Sequence, residues 1–329
     1  MPQLPREKGR PSGGFLAALL IGWIVLGAAG VVYARLKGIP NWAAFPLLAA
    51  FLAEYPFYLV LGFPALRERL AGRRLPYVCL FVALIPYLVS CLGATHFEWG
   101  ALLRLAALAL TIGLWYRILP GNAFTDIVFL ALYPLVLLGG YFTGIYIPQF
   151  PKLRNELIFL GHFTQIILTI LTLMIGRRVP ETGFGFVPTR REWRIGAAHY
   201  LIFVTVGLPL GLVLQAVRWK APAPAWSVVA TFIGFLWVAS LAEEFLVRGV
   251  LQTWIEKWTR SAAVALYITS AIFGLLHLGF GGKFPNWRWV LVAAVLGWCC
   301  GHARNQAGGI RAGVVTHALA VATWRALFQ

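Results

Sequence analysis

Residues 240–250 read SLAEEFLVRGV and place two adjacent glutamates, Glu243 and Glu244, and an arginine, Arg248, at the end of an apolar run that begins near Trp226. On insertion scales an ionised side chain at the centre of a membrane helix costs about 2.5–3.5 kcal/mol, so such residues are rare there and usually functional. We therefore expect the rest of the chain to be organised around this acidic pair.

The composition predicts a membrane protein. Hydrophobic residues make up 60% of the 329 positions and charged residues only 12%, about half the charged fraction of a soluble domain. Apolar runs of about 20 residues, long enough to cross a bilayer, recur along the chain. The predicted fold class is all-α, a polytopic integral membrane protein with about eleven transmembrane helices. The predicted spans are 15–34, 42–63, 76–94, 100–117, 125–143, 157–175, 197–217, 226–248, 262–280, 288–304 and 309–327.

The longest polar connection divides these spans into two groups. Within it, Thr189 and Glu192 have the spacing of a capping box, which we interpret as the start of a short helix on the membrane surface. The predicted regions are a cytoplasmic basic tail at 1–14, a six-span N-terminal membrane region at 15–176, a cytoplasmic amphipathic linker at 177–196 and a five-span core at 197–329.

The charge pattern points to lipid. The net charge is +17, but the basic residues flank apolar runs in small groups, as topology signals beside anionic lipids do. Membrane lipids are therefore expected partners and nucleic acid is not. With the N-terminus inside, the segments on the cytoplasmic face hold 17 Lys and Arg residues and those on the other face hold 9, which predicts a cytoplasmic N-terminus and a C-terminus on the outer face. The cysteines, Cys79, Cys91, Cys299 and Cys300, all fall inside predicted spans and are interpreted as small core residues.

The acidic pair suggests a division of roles. Glu244 and Arg248 are four residues apart, so on a helix they share a face in the favourable order for an ion pair. Glu243 would project in another direction. The alternative is an interfacial Glu-Glu-x-x-x-Arg cluster that only ends a helix.

Two histidines on later spans can reach the same region. Phe273 and His277 share a helical face, Gly274 permits close helix approach, and His317 lies in the last span. Together with the glutamates, these histidines supply a base for water and donors for an oxyanion, or four ligands for a metal. A lone histidine on an apolar helix is more often a satisfied core residue.

Elsewhere, Glu54 is predicted to pair with Arg104.

These motifs resemble those of the CPBP family, which comprises the CAAX prenyl proteases and the bacteriocin-processing (Abi) intramembrane proteases. The residues that carry the resemblance are Glu243, Glu244, Arg248, Phe273, His277 and His317. The resemblance covers about 180–328, so the predicted core would be a CPBP-like protease core. It implies that Glu243, assisted by His277, activates the attacking water, that Arg248 holds Glu244, and that His317 stabilises the oxyanion. The expected location is the bacterial inner (plasma) membrane.

The third motif departs from the family at one position. Four residues after His317 the family normally has Asn or Asp, and this chain has Val321. Loss of one oxyanion-hole donor typically costs roughly 10²–10³ in rate, unless Thr316, Thr323 or Asn286 substitutes. The resemblance also leaves two mechanisms open, one that needs no cofactor and one that uses a divalent metal such as zinc, bound by the four residues Glu243, Glu244, His277 and His317.

The sequence therefore predicts an intramembrane endopeptidase that hydrolyses a peptide bond of a membrane-associated protein or peptide, lipidated or not, through water activated by Glu243. Two alternatives remain open. One is a proton-coupled transporter whose intramembrane acids and histidines relay protons. The other is a CPBP-like scaffold whose catalysis is impaired by Val321.

Overall fold

The computed structural model of the protein describes residues 11–180, 182–282 and 284–328, which are mostly helical and contain no β-strand. By internal contacts the chain divides into two compact units, Met1–Arg178 and Val179–Gln329. The all-helical fold is thus confirmed for the described part of the chain. Residues 1–10 of the predicted basic tail lie outside that part, and the last four residues of the tail belong to the first helix.

The first unit is a set of apolar helices joined by short 3₁₀ turns. Its α-helices are α1 (Pro11–Lys37), α2 (Asn41–Val60), α3 (Pro64–Arg67), α4 (Leu75–Ser90), α5 (Trp99–Ile118), α6 (Ala123–Leu138) and α7 (Arg154–Leu171). The 3₁₀ turns are Glu68–Leu70, Gly72–Arg74, Tyr141–Gly144 and Pro151–Leu153, and a π-helical segment, Thr172–Gly176, extends α7. Helices are the expected solution because lipid offers no partner for an unsatisfied backbone N–H or C=O group.

Helix α7 forms the core of the first unit. In the stretch Pro151–Gly176, 83% of the most hydrophobic 18-residue segment is buried. In the corresponding segment of α1, no residue is buried. Inside this core the fully buried Glu54 accepts a hydrogen bond from Thr164. The predicted pairing of Glu54 with Arg104 is therefore wrong. Arg104 instead donates to the Gly100 and Gly144 carbonyls at 3.2 and 2.6 Å.

The second unit contains the remaining helices. They are α8 (Arg190–Val213), α9 (Ala225–Gly234), α10 (Ser240–Glu244), α11 (Thr253–Thr259), α12 (Ala262–Leu275), α13 (Trp287–Ala307) and α14 (Arg311–Leu327). A 3₁₀ turn, Phe280–Gly282, follows α12. Helix α8 packs on both α13 and α14, and α12 packs on α13. At Gly274 an added Cβ would lie 2.5 Å from the Val290 carbonyl oxygen, which agrees with the close helix approach predicted there.

The predicted capping box at Thr189 is confirmed. The Thr189 hydroxyl accepts from the Glu192 amide at 3.3 Å, and Glu192 accepts from the Thr189 amide at 2.7 Å. The helix that it starts, however, is the 24-residue α8. The expectation of a separate short helix at this point is corrected, because the apolar sequence after Arg194 continues the same helix without a break. The predicted boundaries and cytoplasmic side of the linker, 177–196, stay predictions.

Seven helical stretches of the described chain are long and apolar enough to cross a membrane. They are Gly13–Lys37, Asn41–Val60, Gly72–Ser90, Trp99–Ile118, Pro151–Gly176, Arg190–Val213 and Ala225–Thr259. Each of the eleven predicted segments does contain a helix, but the count of eleven spans is not confirmed. Helices α6, α12 and α14 have 16, 14 and 17 residues, at or below the lower end of the roughly 17–25 residues of a span. Helix α13 has 21 residues but is not among the seven. The sequence prediction counted apolar turn residues next to these helices as part of the spans.

The stretch Ala225–Thr259 is one continuous helical run that carries the acidic pair. Two π-helical segments, Phe235–Ala239 and Phe245–Gln252, interrupt its α-helical geometry on either side of α10. Single wide turns of this kind are rare and occur frequently at functional sites. The acidic pair thus lies on a short α-helical segment between two such turns.

Candidate active site

The two adjacent glutamates lie in different environments. The Glu244 side chain is fully buried, whereas 38% of the Glu243 side chain is exposed. Consecutive residues on a helix point about 100° apart, so a single helix can place one acid inside the protein and the other at a cavity. The predicted divergence of the two side chains therefore matches the structure.

Glu244 is held by two basic groups from different parts of the second unit. Its Oε2 atom lies 3.3 Å from Nε of Arg248, which is also fully buried. Its Oε1 atom lies 3.0 Å from Nδ1 of His317. Arg248 in turn donates to the Gly297 carbonyl at 2.8 Å. Because a buried carboxylate is costly unless it is paired, this network explains how Glu244 is accommodated.

Phe273 packs against three of the polar groups. The Arg248 guanidinium lies over its ring, 4.5 Å from the centroid. The His317 ring meets it edge to face at 5.5 Å, and the His277 ring lies 4.9 Å away. A cation over an aromatic face and edge-to-face rings are both favourable geometries. Phe273 therefore fixes the positions of Arg248, His277 and His317 relative to one another.

The hydrogen bond of His277 selects one of its tautomers. The residue lies in the turn just beyond α12, and its Nδ1 atom is 2.8 Å from the Phe273 carbonyl oxygen. A carbonyl only accepts, so Nδ1 carries the proton and Nε2 of the neutral ring is a free acceptor. A ring held in this way can bind water through Nε2.

A cavity of about 190 Å³ within the second unit brings three of the predicted residues together. Glu243, His277 and His317 all line it, and Nε2 of His317 lies 3.8 Å from Oε2 of Glu243. Its walls are mostly apolar, with an aromatic group formed by Phe203, Phe235, Phe280, Trp289 and Trp324. The arrangement combines a half-exposed carboxylate and two imidazoles with an apolar chamber.

Val321 also lines this cavity. A residue that replaces the missing oxyanion donor at this position must therefore reach the same cavity. Thr316 is buried and donates to the Gly196 carbonyl at 2.9 Å. Asn286 is occupied, because its side-chain oxygen caps α13 by accepting from the Trp289 amide at 3.4 Å and its side-chain nitrogen donates to the Phe280 carbonyl at 2.9 Å. Thr323 does line the cavity, and its hydroxyl lies 2.7 Å from that of Tyr200. Of the three candidates, Thr323 is thus the one at the cavity.

The four residues predicted as metal ligands do not form one cluster. Among the described residues, the group with ligand atoms within 4.8 Å of one another is Glu244, Cys300 and His317. Glu243 and His277 are not members of it. The Glu244 carboxylate is already compensated by the buried Arg248 guanidinium at 3.3 Å, and a divalent cation there would face that positive charge across a low-dielectric interior. This geometry does not fit the predicted four-ligand metal site.

Sequence reasoning did not single out two residues of this site. Tyr200 comes from α8, far from the motifs, and nothing in its local sequence distinguishes it from other aromatic residues of a membrane helix. Cys300 was interpreted as a core residue; it is fully buried, as expected, and it also contacts the Glu244 region. Only the packing of α8, α13 and α14 reveals either position.

Comparisons with known proteins agree with the motifs. Residues 224–323 match the family model described as type II CAAX prenyl endopeptidase Rce1-like. No curated protein and no solved structure significantly matches the chain. The match implies a peptidase with a peptide substrate and a membrane environment, in agreement with the long apolar helices of an integral membrane protein. Over residues 224–323 the chain thus matches the Rce1-like type II CAAX prenyl endopeptidases, consistent with the CPBP family.

Proposed function

We propose that this protein is an intramembrane endopeptidase in which Glu243 activates water for the hydrolysis of a peptide bond in a membrane-associated protein or peptide. The observation that carries the proposal is the shared cavity of Glu243, His277 and His317. General bases must reach the proton that they remove. Glu243, with 38% of its side chain exposed, is the one acid of the pair that a water molecule can reach.

The proposed reaction begins with water bound between the Glu243 carboxylate and Nε2 of His277. Glu243 takes a proton from the water as its oxygen attacks the carbonyl carbon, which forms a tetrahedral intermediate with a negatively charged oxygen. The C–N bond then breaks, and Glu243 passes the proton to the departing amine nitrogen. General acid–base assistance of this kind typically contributes about 10²–10⁴-fold in rate.

His317 is proposed to stabilise the developing oxyanion. Its Nδ1–H donates to Glu244, so Nε2 can donate to an oxyanion when the ring carries both protons. The carboxylates of Glu243 and Glu244, 3.8 and 3.0 Å from the ring nitrogens, would compensate that charge. Arg248 balances Glu244, so the four groups together carry no net charge. Preorganised donors aimed at a developing charge supply much of the rate acceleration in acyl transfer.

The hydroxyl pair of Tyr200 and Thr323 is proposed to supply the donor that Val321 does not. Both residues line the cavity, and their 2.7 Å contact leaves one hydroxyl proton free to point elsewhere. Tyr200→Phe removes one hydroxyl, and we expect kcat to fall about 10²-fold. The matched control is Tyr267→Phe, at an exposed position of α12. Equal activity of the two variants would contradict the assignment.

The aromatic wall of the cavity supports a substrate with an apolar group beside the scissile bond. Such a group can be a hydrophobic side chain or a covalently attached lipid. Reconstituted protein would be given matched peptides with and without an isoprenyl group on a cysteine. Faster cleavage of the modified peptide would identify a lipidated substrate, and equal cleavage would favour the unmodified segment.

The decisive test compares Glu243→Gln with Glu256→Gln in proteoliposomes. Both glutamates lie on the run Ala225–Thr259 and both side chains are 38% exposed. We expect Glu243→Gln to lose peptide cleavage by at least about 10²-fold and Glu256→Gln to retain it. Equal cleavage by wild type and Glu243→Gln would refute the proposed role.

A further inference from the structure

A second cavity lies in the first unit, away from the motif residues. It has a volume of about 410 Å³, within the roughly 300–1,000 Å³ of ligand sites. Three of its ten lining residues are arginines, Arg73, Arg117 and Arg178, and none is acidic. The cavity is thus a concentrated patch of positive charge with a defined volume.

The charge of this cavity is not offset by neighbouring acids. Among the residues that the structure describes, no carboxylate pairs with Arg73, Arg117 or Arg178. The acid near the cavity-lining Tyr116 is Asp126, which already accepts two hydrogen bonds from Arg177, at 2.7 and 2.8 Å. Three like charges around one cavity repel one another unless an anion lies between them.

The base of the cavity is built from the apolar helices. Leu75 begins α4, Gly113 and Tyr116 lie on α5, and Thr172 and Ile175 belong to the π-helical segment after α7. The Thr172 hydroxyl is buried and lies within hydrogen-bonding reach of the Cys79 thiol. The donors available to an anion are therefore the three guanidinium groups, whose planar N–H pairs match phosphate oxygens.

The position of the arginines matches the depth of lipid headgroups. Arg73 precedes α4, Arg117 lies in the last turn of α5 and Arg178 follows the stretch Pro151–Gly176. All three thus lie at the ends of apolar helices. Ile118, next to Arg117, is 71% exposed, as expected for a side chain that faces acyl chains. Basic pockets between membrane helices commonly bind anionic lipid headgroups.

We propose that this cavity binds a phosphate-bearing anion, with Arg73, Arg117 and Arg178 contacting the phosphate oxygens. The source of the phosphate is either an anionic lipid headgroup or free inorganic phosphate. This site is independent of the proposed peptidase activity, because it lies wholly within the first unit. Its ligand would stabilise the junction of α4, α5 and the end of α7.

The test uses the full-length protein in detergent, stripped of lipid, with bound lipid counted by native mass spectrometry and melting followed in parallel. The probes are phosphatidylglycerol, a diacylglycerol with the same acyl chains and inorganic phosphate. The test variant is Arg73→Gln/Arg117→Gln/Arg178→Gln. The matched control, Arg190→Gln/Arg194→Gln/Lys257→Gln, removes the same charge from exposed positions of the second unit.

We expect phosphatidylglycerol to bind and stabilise the wild type, and diacylglycerol to do neither. Each arginine should contribute a factor of about ten or less to the affinity, so the triple cavity variant should bind phosphatidylglycerol roughly 100-fold more weakly. The affinity of the control variant should change less than about threefold. Competition by millimolar inorganic phosphate would identify free phosphate as the ligand, and its absence would identify the lipid headgroup. Equal losses in the two triple variants would overturn the proposal.

A measurement on the wild type covers the case in which the triple variant does not fold. Arginines would be modified with phenylglyoxal, and the extent of modification read by peptide mass spectrometry. Phosphatidylglycerol or phosphate should protect Arg73, Arg117 and Arg178, whereas Arg190 should react as before. Equal protection of Arg190 and the cavity arginines would refute a defined site.

Discussion

Replacing Arg248 by methionine should destabilise the protein far more than the loss of an arginine from its surface. Arg248 and Glu244 are both fully buried, with 3.3 Å between Nε and Oε2. The guanidinium also donates to the Gly297 carbonyl at 2.8 Å and covers the Phe273 ring. Removing one partner of a buried pair leaves an uncompensated charge, which costs about 3–5 kcal/mol. We expect Arg248→Met to lower the free energy of unfolding by that amount.

Arg304 provides the matched control. Its NH1 atom lies 3.1 Å from Oε2 of Glu256, so the ion pair is as short as that of Arg248, but the two side chains are 19% and 38% exposed. Exposed pairs contribute about 0–1 kcal/mol because water screens them. Arg304→Met should therefore lower the free energy of unfolding by about 1 kcal/mol or less. The difference between the two variants measures the effect of burial.

A double-mutant cycle separates charge from packing. In the Arg248→Met background, Glu244→Gln should recover part of the lost stability, because no charge is then left buried. Unfolding by sodium dodecyl sulfate in mixed micelles, followed by circular dichroism, gives the free energies of all four proteins. The assigned effect of burial is refuted if Arg248→Met lowers the free energy of unfolding no more than Arg304→Met does. It is also refuted if the effects of Glu244→Gln and Arg248→Met on that free energy simply add.

The other predictions concern the cavity and the helices around it. Val321→Asn should change kcat for peptide cleavage less than about tenfold, whereas a gain of roughly 10²–10³ would show that the wild type lacks an oxyanion donor. Gly313→Ala should lower the free energy of unfolding by about 1–3 kcal/mol, because its Cβ would lie 2.9 Å from the Cys300 carbonyl oxygen and 3.0 Å from Oε2 of Glu244. The control is Gly234→Ala, where nothing lies within 4 Å of an added Cβ, and an equal drop in thermal stability of both variants would contradict the prediction. Thr189→Ala should cost about 1 kcal/mol through the lost cap of α8, and unchanged chemical denaturation would show that the cap contributes nothing.

Local spacing predicted the parts of the site that lie within four residues of one another in the sequence. Glu244 and Arg248 are four residues apart, and the ion pair that this spacing indicates is present. Phe273 and His277 were expected to share a face, and their rings are 4.9 Å apart. Interactions between neighbouring turns are set by helix geometry alone, so a single sequence is sufficient to predict them.

Contacts between distant segments could not be predicted in the same way. Glu54 was predicted to pair with Arg104, but it accepts a hydrogen bond from Thr164, 110 residues away. Tyr200 reaches Thr323 across 123 residues. Such pairs depend on the rotation of each helix about its axis, which apolar residues on every side of a membrane helix leave undetermined. The count of eleven spans is not confirmed for a related reason, since an apolar turn and an apolar helix end have the same hydropathy.

The geometry of the acidic pair explains why two adjacent glutamates can have separate roles. Glu244 cannot serve as a base, because one oxygen faces Arg248 at 3.3 Å and the other meets His317 at 3.0 Å. If Glu244 were absent, Arg248 would be the uncompensated charge and His317 would lose the acceptor that orients its ring. Glu243 lies farther from these groups, 3.8 Å from Nε2 of His317, because adjacent positions on a helix point about 100° apart. Loss of Glu244 should therefore reduce stability and activity together, whereas loss of Glu243 should reduce activity alone.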